Sequence, residues 1–99
     1  AKIGGEMVSL AAVEQLAAGV WPGGRHAVVC VTDPKKGERL VLITDQGHAT
    51  SADFLAHAKA TGAPEISVPR KVIKVHELPV LGTGKTDYVS LQHIAETES

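Results

Sequence analysis

The sequence has little cysteine, few aromatic residues and no long apolar run. Its 99 residues include one Cys, one Trp, one Tyr and one Phe. A single cysteine, Cys30, excludes an intrachain disulfide and a zinc site built from cysteines. Three aromatic rings are too few for the stacking surfaces that bind RNA or single-stranded DNA. The apolar runs are far shorter than the roughly 18 residues needed to cross a bilayer.

The charge is nearly balanced, with 10 Lys and Arg against 11 Asp and Glu. The balanced charge therefore gives no net electrostatic attraction to nucleic acid or to an anionic membrane. We predict no nucleic-acid partner, and the sequence indicates no membrane contact. Hydrophobic residues make up 43% of the chain, so we expect one globular domain with a small core. Because the chain opens with Ala1 and its one methionine is Met7, we also expect a piece of a longer protein.

Helix-capping residues mark the starts of two predicted helices. Ser9 precedes an apolar stripe with helical spacing, which predicts a helix over residues 10–18 that ends at Gly19. Thr50, followed three residues later by Asp53, predicts the start of a second helix. Gly62 is placed to end that helix. Both helices are therefore bounded by local signals.

Three segments rich in β-branched residues predict strands. We expect residues 27–32 and 39–44 to form an antiparallel hairpin, and the first of these strands has the apolar run of a strand buried on both faces. Residues 68–75 mix apolar and basic side chains, which predicts an edge strand. A small hairpin over residues 2–8 and a short terminal helix complete the chain. We therefore predict an α+β fold with a three-stranded antiparallel sheet, flanking helices and an N-terminal β-hairpin.

A glycine-rich run that ends in a lysine invites comparison with the phosphate loop of NTPases. That loop needs a glycine where this chain has Pro79, so the motif is not favoured. What remains is a flexible loop of Gly82, Thr83 and Gly84 that presents the ammonium group of Lys85. A solvated surface lysine is the alternative, and the residues alone favour it.

Paired glycines near the start form a second candidate site. Gly4 and Gly5 permit a ligand or another chain to approach the backbone closely, and Glu6 adds a charge. A simple hairpin turn explains them more economically. The five histidines show no spacing typical of metal ligands, so we predict no metal site.

The one basic cluster consists of Arg70, Lys71 and Lys74. These side chains are candidates for docking a phosphate or an acidic partner such as a carrier protein. An exposed strand face explains them equally well, so both interpretations stay open.

Two segments together resemble the C-terminal signature motifs of the adenylate-forming superfamily, which includes acyl-CoA synthetases, luciferases and peptide-synthetase adenylation domains. They are Lys-Ile-Gly-Gly-Glu-Met-Val-Ser-Leu at 2–10 with Val13-Glu14, and Leu-Pro-Val-Leu-Gly-Thr-Gly-Lys-Thr-Asp-Tyr at 78–88. Val-Pro-Arg at 68–70 lies between them, so the resemblance covers essentially the whole chain. The wording of the first motif most resembles bacterial bifunctional 2-acylglycerophosphoethanolamine acyltransferase/acyl-[acyl carrier protein] synthetases.

The resemblance implies that residues 1–99 form a mobile C-terminal lid. Its partner would be an N-terminal adenylation domain of the same protein, which would bind most of the ATP, Mg²⁺ and fatty acid. In one pose, Lys85 would reach the carboxylate and the α-phosphate of the bound substrates. In a second pose, Gly4, Gly5 and Glu6 would face the adenylate and border the passage for a pantetheine thiol.

The same resemblance implies that the full-length protein forms a fatty acyl-adenylate and passes the acyl group to acyl carrier protein or CoA. A fused acyltransferase would link this ligase to lysophospholipid reacylation, with the lid as a cytoplasmic domain of a protein at the bacterial inner membrane. The isolated lid would be inactive. Two alternatives remain: an ordinary acyl-CoA or aryl-CoA ligase, and a noncatalytic binding module with the same fold.

Overall fold

The computed structural model describes residues 2–3, 6–33 and 37–98. The elements follow one another in the predicted order of hairpin, α, β, β, α, β, α. They are β1 (Lys2–Ile3), β2 (Glu6–Met7), α1 (Leu10–Val20), β3 (His26–Asp33), β4 (Gly37–Thr44), α2 (Ser51–Thr61), a 3₁₀ turn (Glu65–Ser67), β5 (Lys71–Lys74) and α3 (Tyr88–Glu98).

Strand β4 lies at the centre of a three-stranded mixed sheet. It pairs antiparallel with β3, where Ala27 lies opposite Ile43. It pairs parallel with β5, where Ile73 lies opposite Ile43. The α+β class and the antiparallel pairing of β1 with β2 are confirmed, but the predicted antiparallel direction of the third strand is wrong. Helix α2 lies between β4 and β5, and a helical crossover of this kind returns the chain for parallel pairing.

Alternating side chains of the sheet face two separate apolar clusters. On one face, Leu42 packs in a cluster with Val13 of α1 and Phe54 of α2. On the other face, Val41 belongs to a cluster with Leu91 of α3. Helices α1 and α2 therefore cover one face and α3 covers the other, and the predicted burial of β3 on both faces is confirmed.

Helix α1 begins where its cap was predicted but runs two residues further. The hydroxyl of Ser9 accepts the N–H of Ala12 at 3.2 Å. The helix continues to Val20, past Gly19, and Trp21 donates its N–H to the carbonyl of Ala17. Gly19 therefore lies inside the helix, where an added β-carbon would stand 2.8 Å from Nε2 of His57 in α2.

Helix α2 has both predicted ends, and β5 is shorter than predicted. The hydroxyl of Thr50 accepts the N–H of Asp53 at 3.1 Å, and Gly62 ends the helix with a φ of 78°. The strand begins at Lys71, because the N–H of Val68 is bonded within the 3₁₀ turn and Pro69 has no N–H to donate.

Candidate functional site

Lys85 lies in a tight hairpin between β5 and α3. Leu81 donates its N–H to the carbonyl of Lys85 at 2.7 Å, and Gly84 donates its N–H to the carbonyl of Leu81 at 2.8 Å. Val80 pairs with Thr86 in an antiparallel bridge. Gly84 has a φ of 89°, which favours glycine because a β-carbon would be strained there. The side chain of Lys85 is exposed.

The three residues of the predicted flexible loop form the tip of this hairpin. Gly82, Thr83 and Gly84 are all exposed, and an added β-carbon at Gly82 would meet no atom within 4 Å. The turn is closed by the hydrogen bonds just described. The movement of these residues stays a prediction.

Asp87 joins the hairpin to helix α3. Its N–H donates to the carbonyl of Pro79 at 3.0 Å. Its Oδ1 accepts the N–H of Ser90 at 3.1 Å, and its Oδ2 accepts the Ser90 hydroxyl at 2.8 Å. These bonds to Ser90 hold the pKa of the Asp87 carboxyl below its usual range. An aspartate just before an apolar periodic segment is an N-cap signal, so the sequence itself could have located this end of α3.

A single carboxylate joins α1, β3 and α3. The hydroxyl of Tyr88 donates to both oxygens of Glu14, at 2.9 Å and 2.7 Å, across a separation of 74 residues. Oε2 of Glu14 also accepts the N–H of Val28 at 2.9 Å. Partial burial, then the hydrogen bond and charge of Glu14, raise the pKa of Tyr88 to about 12. No local sequence signal predicts this contact.

The Glu14 and Tyr88 side chains border an open groove of about 410 Å³ between the first turns of α1 and α3. Strand β3 is an edge of the sheet, and it forms the floor of the groove. Gln92 of α3 donates its side-chain N–H to the carbonyl of Cys30 at 2.8 Å. Side chains from both helices thus cover part of the open edge of β3, as is common for protected edge strands.

Exposed apolar side chains flank Lys85 along the chain. Val80 and Leu81 precede it with 45% and 46% of their surfaces exposed. Tyr88 and Val89 follow it with 45% and 83% exposed. Exposed large apolar side chains on both sides of Lys85 in the sequence are candidates for contact with another protein or domain.

The glycine motif is only partly described. Gly4 and Gly5 lie outside the described residues, and the backbone of Glu6 pairs with Ile3 in the N-terminal hairpin. Met7, next to Glu6, is 78% exposed. The predicted contact of this motif with a thiol acceptor stays a prediction.

The three basic residues of the candidate docking site do not share one strand face. Lys71 lies on the same side of β5 as Ile73, which packs in the α3 cluster. Lys74 lies on the opposite side with Val72, because side chains alternate along a strand and Val72 packs against the α1 and α2 cluster. Arg70 is exposed just before the strand. Their docking role stays a prediction.

Within residues 2–3, 6–33 and 37–98, no three His, Cys, Asp or Glu side chains are grouped so that they would hold a metal ion. In that same part of the chain, every helix is too short or too polar to cross a bilayer.

Solved structures of an amide bond synthetase and of a fatty acyl CoA synthetase contain the same fold. No protein-family model matches the chain. Amide bond synthetase McbA from Marinactinospora thermotolerans matches 94% of the chain with a TM-score of 0.79 and 27% identity, over 19% of its own length. The fatty acyl CoA synthetase of Mycobacterium tuberculosis matches 98% with a TM-score of 0.82 and 28% identity, over 20% of its length.

A third match, ATP-bound MatB from Rhodopseudomonas palustris, has a TM-score of 0.80 at 24% identity and is matched over 97% of this chain and 20% of its own. The chain thus spans about a fifth of the length of the proteins it matches. These matches agree with the resemblance of the two sequence motifs. The chain therefore has the structure of a C-terminal domain of the adenylate-forming superfamily that includes acyl-CoA synthetases and amide synthetases.

Proposed function

We propose that this chain is the mobile lid of an ATP-dependent ligase that activates a fatty acid as its acyl-adenylate and transfers the acyl group to a pantetheine thiol. The observation that carries the proposal is the placement of Lys85. Its exposed side chain stands on a hydrogen-bonded hairpin, between two pairs of exposed apolar residues, in a domain with the fold of this superfamily.

The proposed first step needs a positive charge from outside the substrates. A fatty acid carboxylate attacks the α-phosphate of ATP and displaces pyrophosphate, which leaves the acyl-adenylate. Two anions therefore meet, and negative charge concentrates at one place. An ammonium group brought to that place stabilises the transition state, and it does so most strongly where water is excluded. Closure of the exposed apolar surface around Lys85 against an adenylation domain would provide that exclusion.

The proposed second step uses the other motif. With Lys85 withdrawn, Gly4, Gly5 and Glu6 would face the adenylate and border the path of the incoming thiol, which attacks the acyl carbon and displaces AMP. One small domain would then serve two half-reactions by moving, without a second set of catalytic groups. ATP with Mg²⁺ and the fatty acid would be held mainly by the N-terminal adenylation domain.

The proposal also concerns the acceptor, which is the molecule that receives the acyl group from the adenylate. The similarity to a fatty acyl CoA synthetase supports CoA, while the wording of the first motif supports acyl carrier protein, a fused acyltransferase and lysophospholipid reacylation at the bacterial inner membrane. The similarity to an amide bond synthetase favours a second candidate, in which the adenylate is attacked by an amine. Whether the acceptor is CoA, acyl carrier protein or an amine, the proposed formation of the adenylate depends on the same lysine.

The first experiment measures fatty-acid-dependent exchange between ATP and pyrophosphate by the full-length protein. Lys85→Ala is expected to lower exchange on the order of 10²-fold or more, because it removes the charge that stabilises the transition state. Formation of thioester from supplied acyl-adenylate should be largely unchanged. Lys59→Ala, which removes another exposed lysine at the end of α2, is the matched control and should behave as wild type.

Unchanged exchange in Lys85→Ala would exclude the lid function and favour a noncatalytic binding module. Equal loss in both half-reactions would contradict the two-pose account. The isolated domain should show no exchange. Adding CoA, acyl carrier protein or an amine to the adenylated enzyme then identifies the acceptor. Substitution of Arg70 and Lys74 by Ala should raise KM for an acidic carrier protein and leave KM for CoA or an amine unchanged.

A further inference from the structure

The hydroxyl of Tyr88 ties the start of α3 to the body of the domain. Tyr88 is the first residue of α3, and its hydroxyl lies 2.7 Å from Oε2 of Glu14. The same oxygen accepts the N–H of Val28 at 2.9 Å. Glu14 is therefore held in place by strand β3 while it holds the tyrosine.

This tie stands close to Lys85 along a stiff stretch of chain. Only Thr86 and Asp87 separate Lys85 from Tyr88. Thr86 is paired with Val80, and the N–H of Asp87 is bonded to the carbonyl of Pro79. Because both intervening residues are held in the hairpin, a rotation of the first turn of α3 would carry the hairpin and Lys85 with it.

The other contacts of α3 hold the helix further along. Leu91 is completely buried and fixes the helix against the sheet one turn later. Gln92 bonds to the carbonyl of Cys30. The ring of Tyr88 is 45% exposed, so packing holds it only in part, and its hydrogen bond to Glu14 adds a tie between the first turn and α1.

We propose that Glu14 and Tyr88 are positioning residues for Lys85, a role that rests on the function proposed above. Neither side chain would touch the reacting atoms. Their hydrogen bond fixes the direction from which the hairpin presents the ammonium group. A misplacement of about 1 Å far from the chemistry can cost on the order of 10²-fold in rate, so a partial loosening should be measurable.

Tyr88→Phe in the full-length protein tests this role with the loss of a single oxygen atom. We expect kcat for fatty-acid-dependent ATP–pyrophosphate exchange to fall about 10-fold, with KM for ATP changed by less than about twofold. Thioester formation from supplied acyl-adenylate should stay at the wild-type rate, because Lys85 does not act in that step. The melting temperature should fall by only about 2 °C or less.

Variants of Glu14 and a control on the same helix complete the test. Glu14→Gln keeps an oxygen acceptor and should lose less exchange activity than Glu14→Ala. Adding Glu14→Ala to Tyr88→Phe should cost less than the two separate effects combined, because both act through one contact. Gln92→Ala removes a different bond between α3 and the sheet and should leave exchange unchanged.

Wild-type exchange in Tyr88→Phe would overturn the proposal, as would equal losses in both half-reactions or an equal loss in Gln92→Ala. Tyr88→Phe tests the proposal even if Glu14→Ala fails to fold, because the Tyr88→Phe variant keeps Glu14 as the acceptor for the N–H of Val28. If Lys85→Ala abolishes exchange and Tyr88→Phe does not, only the positioning role fails; if Lys85→Ala keeps exchange, the proposed function itself fails.

Discussion

The hydroxyl of Thr44 lies 2.8 Å from Nδ1 of His26, across the pair of strands β3 and β4. The other ring nitrogen of His26 donates to the carbonyl of Trp21 at 2.9 Å, so the neutral ring accepts the Thr44 hydroxyl at Nδ1. The same hydroxyl oxygen accepts the N–H of Gln46 at 3.1 Å. Thr44 is completely buried, and its hydroxyl forms hydrogen bonds with both the His26 ring and the Gln46 N–H at the end of β4.

Replacing this hydroxyl by a methyl group should destabilise the domain. Thr44→Val keeps the shape of the side chain but leaves the His26 ring and the Gln46 N–H without their partner, at a cost of about 2 kcal/mol in the free energy of unfolding. Thr44→Ser keeps the hydroxyl and loses one methyl group, at a cost of about 1 kcal/mol. Urea denaturation measures both, and a Val variant as stable as the Ser variant would contradict this assignment.

The Cys30 thiol should react slowly with alkylating reagents. Burial, then the hydrogen bond to Glu38 and its charge, raise the pKa of Cys30 from 9.0 to about 11, and the Sγ–Oε2 distance is 2.8 Å. At pH 8 the thiolate fraction is then on the order of 10⁻³. Iodoacetamide should modify Cys30 about 100-fold more slowly than an unstructured cysteine, and Glu38→Gln should speed the reaction. A rate equal to that of a free thiol would show that the contact is not maintained.

The Asp87 cap should make stability depend on pH in the acid range. The pKa of Asp87 in the folded chain lies below the ordinary value of 3.8. At low pH the unfolded chain therefore binds more protons than the folded chain, so the free energy of unfolding rises with pH. The contribution of the Asp87 carboxylate to this free energy is complete above pH 3.8. It is lost as the pH falls through the pKa of Asp87 in the folded chain. Ser90→Ala removes one donor, so an NMR titration of the Asp87 carboxyl should show its pKa moving toward 3.8. An unchanged pKa would contradict the role of Ser90.

The two glycines of the Lys85 hairpin should respond differently to alanine. Gly84 has a φ of 89°, so Gly84→Ala strains the turn by about 1 kcal/mol and should speed hydrogen exchange of the Leu81 amide. Gly82 has no positive φ and open space around it, so Gly82→Ala should leave that exchange rate nearly unchanged. Equal effects of the two substitutions would contradict the turn geometry.

A bulky residue at Gly5 should separate the two proposed half-reactions. Gly5→Leu would obstruct close approach of the thiol and is expected to slow acyl transfer more than adenylate formation. Gly47→Leu is the matched control, because Gly47 is exposed and has no neighbouring atom within 4 Å of an added β-carbon. A Gly5→Leu variant that loses adenylation and keeps acyl transfer would contradict the acceptor-side role.

Local features were the most predictable from sequence. The caps at Ser9 and Thr50 and the left-handed Gly62 form through hydrogen bonds between residues a few positions apart. The spacing of Lys71 and Lys74 already placed them on opposite faces of a strand, since side chains alternate with a period of two. The helical segment between β4 and β5 is likewise a sequence signal for parallel pairing, because a crossover helix returns the chain in the same direction.

By itself, the sequence determined the element order, the two-sided burial of β3 and the motifs that resemble the adenylate-forming superfamily, because each of these depends on composition and spacing along the chain. The tertiary structure alone decided that Glu14 meets Tyr88 across 74 residues and that their contact stands beside the Lys85 hairpin. The reason is physical: a polar pair forms wherever packing of α1 and α3 on opposite faces of the sheet brings two side chains together at its edge, and no local pattern records where that edge will lie.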